Sequence, residues 1–397
     1  MNLLLWLSGL GLVLVGPYAL LLGLFGLSTF RHRISKFGVF AKSSEVSFAF
    51  VIPAHDEART IEKTLCSLQS VDYPKERVCI VVIADNCGDQ TASVARDMGV
   101  RVFERQHATR RSKGFALEDT LPKIMADELL LQVDAFVIVD ADTVVDKNVL
   151  NTLAPLVSEG SDWIQGLDLV ANPDESWRTK LLALGFALFN GSFQVGSEAL
   201  GLGAHLRGNG MSLSRRGLQR IAWTSNGLAE DLEFSWKLRL AGEHVRFASH
   251  AKFYADMPIS PTVSANQRRR WEKGRHGLWR TMRSQLWDSK VSVYRKILWA
   301  LDLSMPSLTV VAGVILISML LLVTAGLLGI AIPLWLIIVT SILVTAMAIY
   351  AVSPFLSFGL PWSVLTAVLM LPYYAIWRLL IALGRIPSTW VRTERRF

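Results

Sequence analysis

The sequence predicts an α/β domain that is anchored in a membrane by apolar helices on both sides. Two uncharged blocks flank the charged middle part of the 397-residue chain. Within that middle part, short apolar runs alternate with stretches of helical pattern, which favours a parallel sheet covered by helices. Polar residues directly follow several of these runs, at the carboxyl ends of the expected strands, where ligands bind in sheets of this kind.

The distribution of charge divides the chain into three parts. Leu3–Phe30 contains no charged side chain, and the 75 residues of Leu303–Trp377 contain no Asp, Glu, Lys, Arg or His. Because a helix needs about 20 apolar residues to cross a bilayer, the first block predicts one span and the second predicts two or three. The expected C-terminal spans are 304–327, 332–353 and 361–383. A wholly soluble enzyme, a disordered chain and a small secreted disulfide scaffold are excluded by this arrangement.

The charges next to the first span predict its orientation. Arg31, His32, Arg33 and Lys36 follow the span directly, so the N-terminus is expected outside and the middle domain in the cytoplasm. A cleaved signal peptide is disfavoured, because a basic start and a small-x-small cleavage site are both missing. Three C-terminal spans would leave the arginine-rich tail outside, against the same rule. One of the three is therefore expected to lie in the interface or to re-enter.

Four short apolar runs in the middle domain predict buried strands. The runs are Phe48–Pro53, Cys79–Ala84, Val100–Phe103 and Phe136–Val139. Helical patterns separate them, near 57–70, 90–98 and 113–128. This alternation predicts a parallel sheet with helices on both of its faces.

A pair of aspartates follows the fourth run. Alternation along a strand would point Asp140 and Asp142 to one face, and two hard oxygen ligands suit Mg²⁺ or Mn²⁺ holding a diphosphate. Two solvated aspartates at the end of a strand are the structural alternative. The glycine motifs of dinucleotide and ATP sites are missing. Cys66, Cys79 and Cys87 form no C-x-x-C pair and predict reduced thiols rather than a zinc site.

Several other polar positions have both a functional and a structural interpretation. Asp85 ends the second strand, where it can accept an N–H from a base or form a turn with the residues that follow. Glu57 can be an acid favoured by the dipole at a helix start. Lys113 ends a basic stretch that is either a solvated loop or a phosphate-binding segment. Glu230 and Asp231 begin an amphipathic helix, where acids are common and where a catalytic base would also be a carboxylate.

A basic stretch interleaved with tryptophans precedes the C-terminal apolar block. Between Gln267 and Arg283 there are seven Lys or Arg residues and one Glu, together with Trp271 and Trp279, and two further tryptophans follow at Trp287 and Trp299. This pattern predicts a helix at the cytoplasmic membrane surface. Nucleic acid is disfavoured as a partner, because the stretch adjoins a span and no nucleic-acid motif accompanies it. The uncharged segment 181–197 is short for a span and predicts a buried or interfacial helix.

The order of these motifs resembles the membrane-bound family 2 glycosyltransferases, which include cellulose, chitin and hyaluronan synthases. The resemblance runs from about Phe48 to Arg283. It implies a GT-A (nucleotide-diphospho-sugar transferase) domain on the cytoplasmic membrane face, flanked by transmembrane helices. The motifs that carry it are Pro53-Ala-His-Asp-Glu57, Asp85-Asn-Cys-Gly-Asp89, Asp140-Ala-Asp142, Gly208-Asn-Gly210, Glu230-Asp231 and Gln267-x-x-Arg270-Trp271.

The resemblance implies how a nucleotide-sugar, most simply a UDP-sugar, would be held. His55, Glu57 and Asp85 would lie at the nucleotide base, although His55 and Asp56 stand where relatives often carry Tyr and Asn. Lys113 would help to neutralise the charge of the departing diphosphate.

The resemblance also implies the groups that act at the reacting centre. Asp140 and Asp142 would hold the diphosphate and its Mg²⁺ or Mn²⁺ ion. Asp231, with Glu230 beside it, would deprotonate the acceptor hydroxyl in an inverting transfer. Three residues would bind the diphosphate and line the acceptor site: Gln267, Arg270 and Trp271.

Two enzymatic functions remain open at this point. The first is extension of a β-linked polysaccharide, which the Gln-x-x-Arg-Trp motif favours by resemblance but which would require self-association or a partner subunit to build a channel. The alternative is transfer of one sugar to a lipid or lipid-linked acceptor, which the few spans and the tryptophan-rich stretch favour. A transporter or scaffold is disfavoured, because the C-terminal block lacks charged or broken-helix features.

These expectations define a domain map for an integral protein of the plasma (inner) membrane, with a cytoplasmic catalytic domain. Its parts are an N-terminal transmembrane helix at 1–30, a GT-A domain at 31–265, interfacial helices at 266–302, transmembrane helices at 303–384 and a basic tail at 385–397.

Overall fold

The structure, a computed structural model, consists of an α/β domain joined to three long apolar helices, and it describes residues 2–34, 45–257, 261–289, 291–371 and 373–374. The strands are β1 (Phe48–Ala54), β2 (Val78–Asp85), β3 (Arg101–Arg105), β4 (Ala135–Ile138), β5 (Thr143–Val145), β6 (Trp163–Val170), β7 (Met211–Ser214) and β8 (Val245–Ala255). The helices of the domain are α2 (Ile61–Gln69), α3 (Thr91–Asp97), α4 (Lys113–Ala126), α5 (Val149–Ser158), α6 (Trp177–Phe186), α7 (Phe193–Ala199), α8 (Arg215–Arg220) and α9 (Glu230–Leu240). The remaining helices are α1 (Leu3–Ile34), α10 (Pro261–Asp288), α11 (Val293–Ser304), α12 (Leu308–Leu327) and α13 (Leu334–Ser357), with a π-helix at Ala187–Ser192 and a 3₁₀ helix at Trp362–Met370.

The strands form one sheet in the order β3-β2-β1-β4-β7-β6-β8-β5. The first four pair in parallel, and they confirm the four strands that the apolar runs predict. The helices predicted between them are also present, as α2, α3 and α4. A wholly parallel sheet is wrong, however, because β7 runs antiparallel to both β4 and β6, and β5 runs antiparallel to β8.

Alternate residues of the central strands enter two separate cores. Phe48, Phe50 and Ile52 of β1 are fully buried on the face that α2, α3 and α5 cover, whereas Ala49 and Val51 are buried on the other face. This alternation follows from the two-residue period of a strand. Helices α4 and α9 cover the second face and thus place their N-terminal residues near the carboxyl edge of the sheet.

The antiparallel strand β7 brings a glycine-containing loop to that edge. Because β7 runs against β4, its first residue Met211 pairs with Ile138, the last residue of β4. The Gly210 amide donates to the Ile138 carbonyl at 2.9 Å. The loop before β7 therefore lies beside the residues that follow β4.

The N-terminal helix extends beyond a membrane span into the α/β domain. Its 32 residues correspond to a length of about 48 Å, whereas a hydrocarbon core is about 30 Å thick. The Phe25 side chain is fully buried and packs edge-on against Phe193, at a ring-centroid distance of 4.9 Å. A Cβ on Gly196 would lie 2.3 Å from the Phe25 ring, so only glycine permits this contact. Further along α1, His32 hydrogen-bonds to Ser249 at 2.8 Å.

Three helices among the described residues are long and apolar enough to cross a membrane: Leu3–His32, Leu308–Leu327 and Leu334–Ser357. They pack on one another through a shared apolar core. The C-terminal end of α13 lies beside the domain end of α1, where the Ser357 hydroxyl donates to the Thr29 carbonyl at 3.3 Å, and the Tyr350 hydroxyl of α13 donates to the Leu188 carbonyl of the domain at 3.0 Å.

The described beginning of the third expected C-terminal span, 361–383, forms the 3₁₀ helix at 362–370. This helix packs against α6 of the domain, and the Ser363 hydroxyl hydrogen-bonds to Asp174. Residues 372 and 375–383, and with them most of the expected span, lie outside the described residues, as does the basic tail at 385–397.

Two further helices connect the domain to the C-terminal spans. Helix α10 packs against the start of α9, where a Cβ on Gly274 would lie 2.7 Å from that of Ala229. Helix α11 buries Trp299 and Leu303 but exposes Val293, Tyr294 and Ile297 by half or more of their surface. Segment 181–197, expected as a buried or interfacial helix, is helical as part of α6, the π-helix and α7.

Candidate active site

The carboxyl ends of β1 and β2 form the first part of the site. Asp85 ends β2 and accepts hydrogen bonds from Arg105 at 2.5 Å and from the Asn86 side chain at 2.8 Å. His55 follows β1, and its Nδ1 hydrogen-bonds to the Asp85 carbonyl at 2.7 Å. Burial raises the pKa of Asp85, while the charge and hydrogen bonds of Arg105 oppose that rise. The side chain is therefore a fixed acceptor within this edge.

A pair of tight turns shapes the same edge. Asp56 and Asn86 have positive φ angles of 54° and 52°, and the Asp56 carboxylate accepts the Gly88 amide at 2.6 Å. Asp56 lies with Cys87 and Asp89 in a group whose oxygen and sulfur atoms are close enough to hold a metal. Asp56 accepts the backbone amides of Gly88 and Asp89, and these hydrogen bonds of the turn are sufficient to bring the three side chains together. Glu57 accepts the Thr60 hydroxyl at 2.7 Å, which places it at the approach to α2.

The predicted metal ligands follow β4 in a turn rather than in the strand. Because β4 ends at Ile138, strand alternation does not set the directions of Asp140 and Asp142. The Asp140 side chain is 41% exposed and forms an ion pair with Lys113. Asp142 is buried, and the Thr143 hydroxyl donates to it at 3.4 Å. Both carboxylates thus lie at the carboxyl edge, at different depths.

Lys113 joins the two sides of the site. It begins α4, and its ammonium donates to the Gly208 carbonyl at 2.7 Å as well as to Asp140. Burial alone would lower the pKa of Lys113, but the negative charges of Asp140, Glu230 and Asp231 outweigh it and raise that pKa. The cation therefore stays charged among three carboxylates.

Glu230 and Asp231 form the first turn of α9, facing this lysine. The Leu232 amide donates to Asp231 Oδ1 at 2.8 Å, and a Cβ on Gly208 would lie 3.2 Å from Asp231 Oδ2. Burial and the charge of Asp231 raise the pKa of Glu230 to about 7. Burial raises the pKa of Asp231 as well, opposed by the Leu232 amide and by Lys113. A carboxylate in this setting is poised to accept a proton.

Two buried residues support the edge from behind: Asn209, which the Gly208-Asn-Gly210 motif contains without an assigned role, and Asp168, which sequence reasoning missed. Asp168 of β6 accepts the Asn209 amide at 2.8 Å, and the Asn209 side-chain oxygen accepts the Asp140 backbone amide at 3.2 Å. Burial raises the pKa of Asp168 well above its ordinary range, and the charges of Asp140 and Asp231 add to that effect against the Asn209 hydrogen bond. The sequence does contain a signal for Asp168, which is an acidic residue within the mostly apolar stretch at 163–170.

The basic helix α10 borders the site next to Glu230 and Asp231. Arg270 acts electrostatically on both Glu230 and Asp231, and its Nε is buried without a hydrogen-bond partner among the described residues. Trp271 is 36% exposed, with its ring 6.1 Å from that of Phe186. Gln267 lies one turn before them on the same helix. The helix thus directs Arg270 to the acid pair and Trp271 toward α6.

The donor chemistry of this edge fits a divalent cation. Asp140 and Asp142 offer hard oxygen ligands, as Mg²⁺ and Mn²⁺ prefer. The Lys113 ammonium already occupies the position of a counterion to Asp140. Lys113 and Arg270 offset part of the negative charge here, but neighbouring carboxylates still raise the pKa of Asp168 and of Glu230, so an additional cation would relieve this repulsion.

Removal of Arg105 is expected to lower the free energy of unfolding, because Arg105 holds the part of the site that the ends of β1 and β2 form. Arg105 and Asp85 are 6% and 9% exposed, and Arg105 also pairs with Asp119 at 2.6 Å. Arg105→Gln would leave a buried carboxylate unpaired, which costs about 3 kcal/mol of unfolding free energy. Denaturation of the detergent-solubilised chain measures this loss. Arg110→Gln is the control, because Arg110 is 38% exposed and pairs with the same Asp119; equal losses in the two variants would contradict the assignment.

The raised pKa of Glu230 predicts how stability depends on pH. Because that pKa is about 7 in the folded chain against an ordinary 4.5, the folded state binds more protons than the unfolded state between those values. The free energy of unfolding should therefore fall as pH rises from about 5 to about 7. Glu230→Gln should flatten this decline in denaturation curves recorded across that range, and an unchanged slope would contradict the buried position of Glu230.

The chain belongs to the family described as glycosyltransferase-like family 2, whose model matches residues 46–274. The domain is of GT-A type. A mannosyltransferase from Pyrobaculum calidifontis, solved with GDP-mannose and Mn²⁺, superposes with a TM-score of 0.54 at 17% identity and covers 95% of this chain and 99% of its own.

Curated relatives include both glycolipid and polysaccharide synthases. A β-monoglucosyldiacylglycerol synthase of Trichormus variabilis is 25% identical over 59% of this chain and 51% of its own length. A poly-β-1,6-N-acetyl-D-glucosamine synthase of Staphylococcus epidermidis is 23% identical over 62% of this chain and 59% of its own. The chain thus spans between half and three fifths of the length of these relatives.

Proposed function

We propose that the chain is an inverting, metal-dependent transferase that moves one sugar from a nucleotide-sugar, most simply a UDP-sugar, to a lipid or lipid-linked acceptor. The observation that carries the proposal is the convergence of Lys113, Asp140 and Asp231 around the Gly208 loop at the carboxyl edge of the sheet. Along this edge, Asp85 would bind the nucleotide base. Lys113 and Asp140 would lie at the diphosphate, and Asp231 would accept the proton.

The donor would lie along this edge with its nucleotide at the ends of β1 and β2. The Asp85 carboxylate, held by Arg105, and the neighbouring His55 and Glu57 lie where the base would bind. Asp140 and Asp142 would hold a Mg²⁺ or Mn²⁺ ion, which when bound neutralises negative charge on the diphosphate. Lys113 and Arg270 add positive charge on the same side, which favours departure of the diphosphate.

Asp231 is the group that we assign to the acceptor. Its Oδ2 faces the Gly208 loop, whereas its Oδ1 accepts the Leu232 amide. Oδ2 is therefore the oxygen left for a substrate in the groove that we place along the carboxyl edge of the sheet. This oxygen would take the proton of the attacking hydroxyl as the bond between the sugar and the diphosphate breaks. A single displacement of this kind requires one base and inverts the anomeric centre. Glu230 beside it would raise its basicity when ionised.

A lipid acceptor is favoured by how the membrane helices pack. Within the described part of the chain, α1, α12 and α13 bury their facing side chains in one apolar core. The surface around α10 and α11 exposes Trp287, Val293 and Tyr294, each by more than half. Side chains of this kind belong at a membrane interface, which would place the groove at the level of lipid headgroups.

The positions of the chain ends in the bilayer follow from the same packing. Arg31 and His32 at the C-terminal end of α1 lie on the domain side, where His32 hydrogen-bonds to Ser249, and the positive-inside rule assigns this side to the cytoplasm. Helices α12 and α13 leave and return to that side, so the arginine-rich tail would also be cytoplasmic if the remainder of 361–383 does not cross. The catalytic domain would then face the cytoplasm from the plasma (inner) membrane.

Extension of a β-linked polysaccharide is the second candidate. It is favoured by the Gln267-x-x-Arg270-Trp271 motif on α10 and by similarity to the poly-N-acetylglucosamine synthase. The solid packing of α1, α12 and α13 means that a polymer path would need self-association or a partner subunit.

The two candidates differ in the product that they form. The full chain in nanodiscs would be incubated with labelled UDP- and GDP-sugars, a lipid extract and Mg²⁺ or Mn²⁺, and the products separated by solvent extraction and gel electrophoresis. A single organic-soluble glycolipid is expected. A high-mass, glycanase-sensitive product would favour the polysaccharide synthase instead, and consumption of no donor would contradict both.

A further inference from the structure

A cavity lies directly behind the proposed catalytic base, between the α/β domain and the helices that lead into the membrane. Its volume is about 40 Å³, which is the space of a few water molecules or of one small polar group. It is lined by residues of the π-helix, α7, α9, α10, α11 and the loop before β7, among them Phe189, Phe193, Arg207, Leu232, Trp236 and Arg275. Leu232, whose amide donates to Asp231, connects this lining to the site described above.

Two arginines in this cavity have no carboxylate partner among the described residues. Arg207 donates only to the Phe189 carbonyl, at 3.4 Å, and Arg275 only to the Asp302 carbonyl, at 3.3 Å. Arg239 nearby shows the contrast, because it pairs with the Asp302 carboxylate at 2.6 Å. Burial lowers the pKa of Arg207 to about 10, against the charges of Asp231 and Asp302. A buried guanidinium without a carboxylate in direct contact is costly, and the lining holds Arg207 and Arg275 against the single carboxylate of Asp302.

Asp302 cannot supply the missing negative charge. Its Oδ2 already accepts hydrogen bonds from Arg239 and from His205 Nε2, both at 2.6 Å. Burial lowers the pKa of His205 to about 3, so this imidazole stays neutral and donates the Nε2 hydrogen. The Asp302–Arg239 pair is therefore internally balanced. Arg207 and Arg275 feel the charge of Asp302, and Arg207 also that of Asp231, but neither forms an ion pair with a carboxylate of the described residues.

Two unsatisfied polar atoms belong to residues that line the cavity. Nine buried side-chain nitrogen or oxygen atoms lack a hydrogen-bond partner among the described residues, and His205 Nδ1 and Arg207 Nε are the two in the lining. Buried polar atoms normally have partners. These two atoms indicate that a polar ligand completes the site.

The position of the cavity connects the membrane surface with the reacting centre. Asp302 and Leu303 line it shortly before α12 begins its span at Leu308. On the opposite side, Arg207 precedes Gly208, and Leu232 follows Asp231 in the chain. The cavity therefore lies between the start of the first C-terminal span and the residues next to the proposed base.

We infer that this cavity binds the phosphate of an anionic lipid acceptor through Arg207 and Arg275. The inference rests on the proposed function and names its acceptor class: a lipid with a phosphate close to the group that receives the sugar. Paired guanidinium groups match the geometry and charge of a phosphate, and the aromatic rings of Phe189, Phe193 and Trp236 cover the apolar part next to it. A neutral lipid would leave both guanidinium groups without an anion in direct contact.

The test compares lipids that differ only in their phosphate. The detergent-purified full chain would be titrated with dioleoyl phosphatidic acid against dioleoylglycerol, and with farnesyl phosphate against farnesol, with binding followed by native mass spectrometry. At least one phosphorylated lipid is expected to bind about tenfold or more tightly than its neutral counterpart. Arg207→Gln and Arg275→Gln should each remove this preference. Arg216→Gln should retain it, because Arg216 is 62% exposed on α8.

Other outcomes separate this inference from the proposed function. Equal binding of neutral and phosphorylated lipids, or equal loss in Arg216→Gln, would overturn the inference. Binding of inorganic phosphate as tight as that of the lipids would overturn the lipid assignment. Arg207→Lys, which keeps the charge, should keep most of the preference and guards against a Gln variant that misfolds. Release of nucleoside diphosphate from the donor panel is measured in parallel, so that a chain that consumes donor but ignores the phosphate refutes only the inference.

Discussion

Asp231→Asn is expected to lower the rate of sugar transfer by about a thousandfold. The amide preserves the size of the side chain and can still accept the Leu232 amide, but it cannot take the proton of the acceptor. Donor binding should change by no more than a few-fold, because Asp231 faces the acceptor side of the Gly208 loop. Transfer of labelled sugar measures the first quantity and calorimetric titration with UDP in Mn²⁺ measures the second.

Glu233→Gln is the matched control for this variant. Glu233 lies on the same helix α9, two residues later, and pairs with Lys237 at 2.9 Å near the surface. It should retain wild-type turnover. Turnover by Asp231→Asn at the rate of this control would remove Asp231 as the base, and loss of UDP binding in Asp231→Asn would assign it to the donor instead.

Asp140→Asn and Asp142→Asn are expected to weaken Mn²⁺-dependent nucleotide binding by roughly tenfold or more each. Loss of a partner outside the coordination shell already costs 10–100-fold in metal affinity, and these carboxylates would be direct ligands. The effect is measured by Mn²⁺ electron paramagnetic resonance in the presence of UDP. With a chelator present, the variants and the wild type should bind UDP equally.

Asp146→Asn provides the comparison for these two variants. Asp146 is an acid of the next turn that accepts the Asn148 amide at 2.9 Å, away from Lys113 and the groove. Its Mn²⁺ dependence should match that of the wild type. If Asp140→Asn and Asp142→Asn also keep that dependence, the metal site lies elsewhere in the chain.

The first half of the sheet could be predicted because its strands are continuous apolar runs. β1, β2 and β4 are buried on both faces, and such strands contrast clearly with the helices that separate them. The later strands gave a weaker signal. β5 and β7 have only three and four residues, and β8 alternates with charged residues such as Arg246 and Lys252, so neither their existence nor their antiparallel direction followed from periodicity.

Site residues could be predicted where they belong to a motif that has a fixed residue type and a fixed order along the chain. Lys113, Asp140, Glu230 and Asp231 are distant in sequence, yet they meet at one sheet edge, as parallel strands require. Other participants were not predictable. Arg105 lay inside a basic stretch of which only Lys113 was selected, and Arg207 depends on the packing of α9, α10 and α11 around it, which no local pattern encodes.

The anomeric configuration of the product is the most direct test of whether Asp231 acts as the base of an inverting transfer. The account predicts a single displacement in which Asp231 takes the acceptor proton, so a product formed from an α-linked nucleotide-sugar must carry the new bond in the β configuration. Proton NMR of the isolated product from the nanodisc-embedded chain, with the accepted donor and Mn²⁺, gives this configuration from the coupling of the anomeric hydrogen. A β-linked product is the predicted result. An α-linked product would require a second displacement and would contradict the assignment of Asp231 as the base of an inverting transfer.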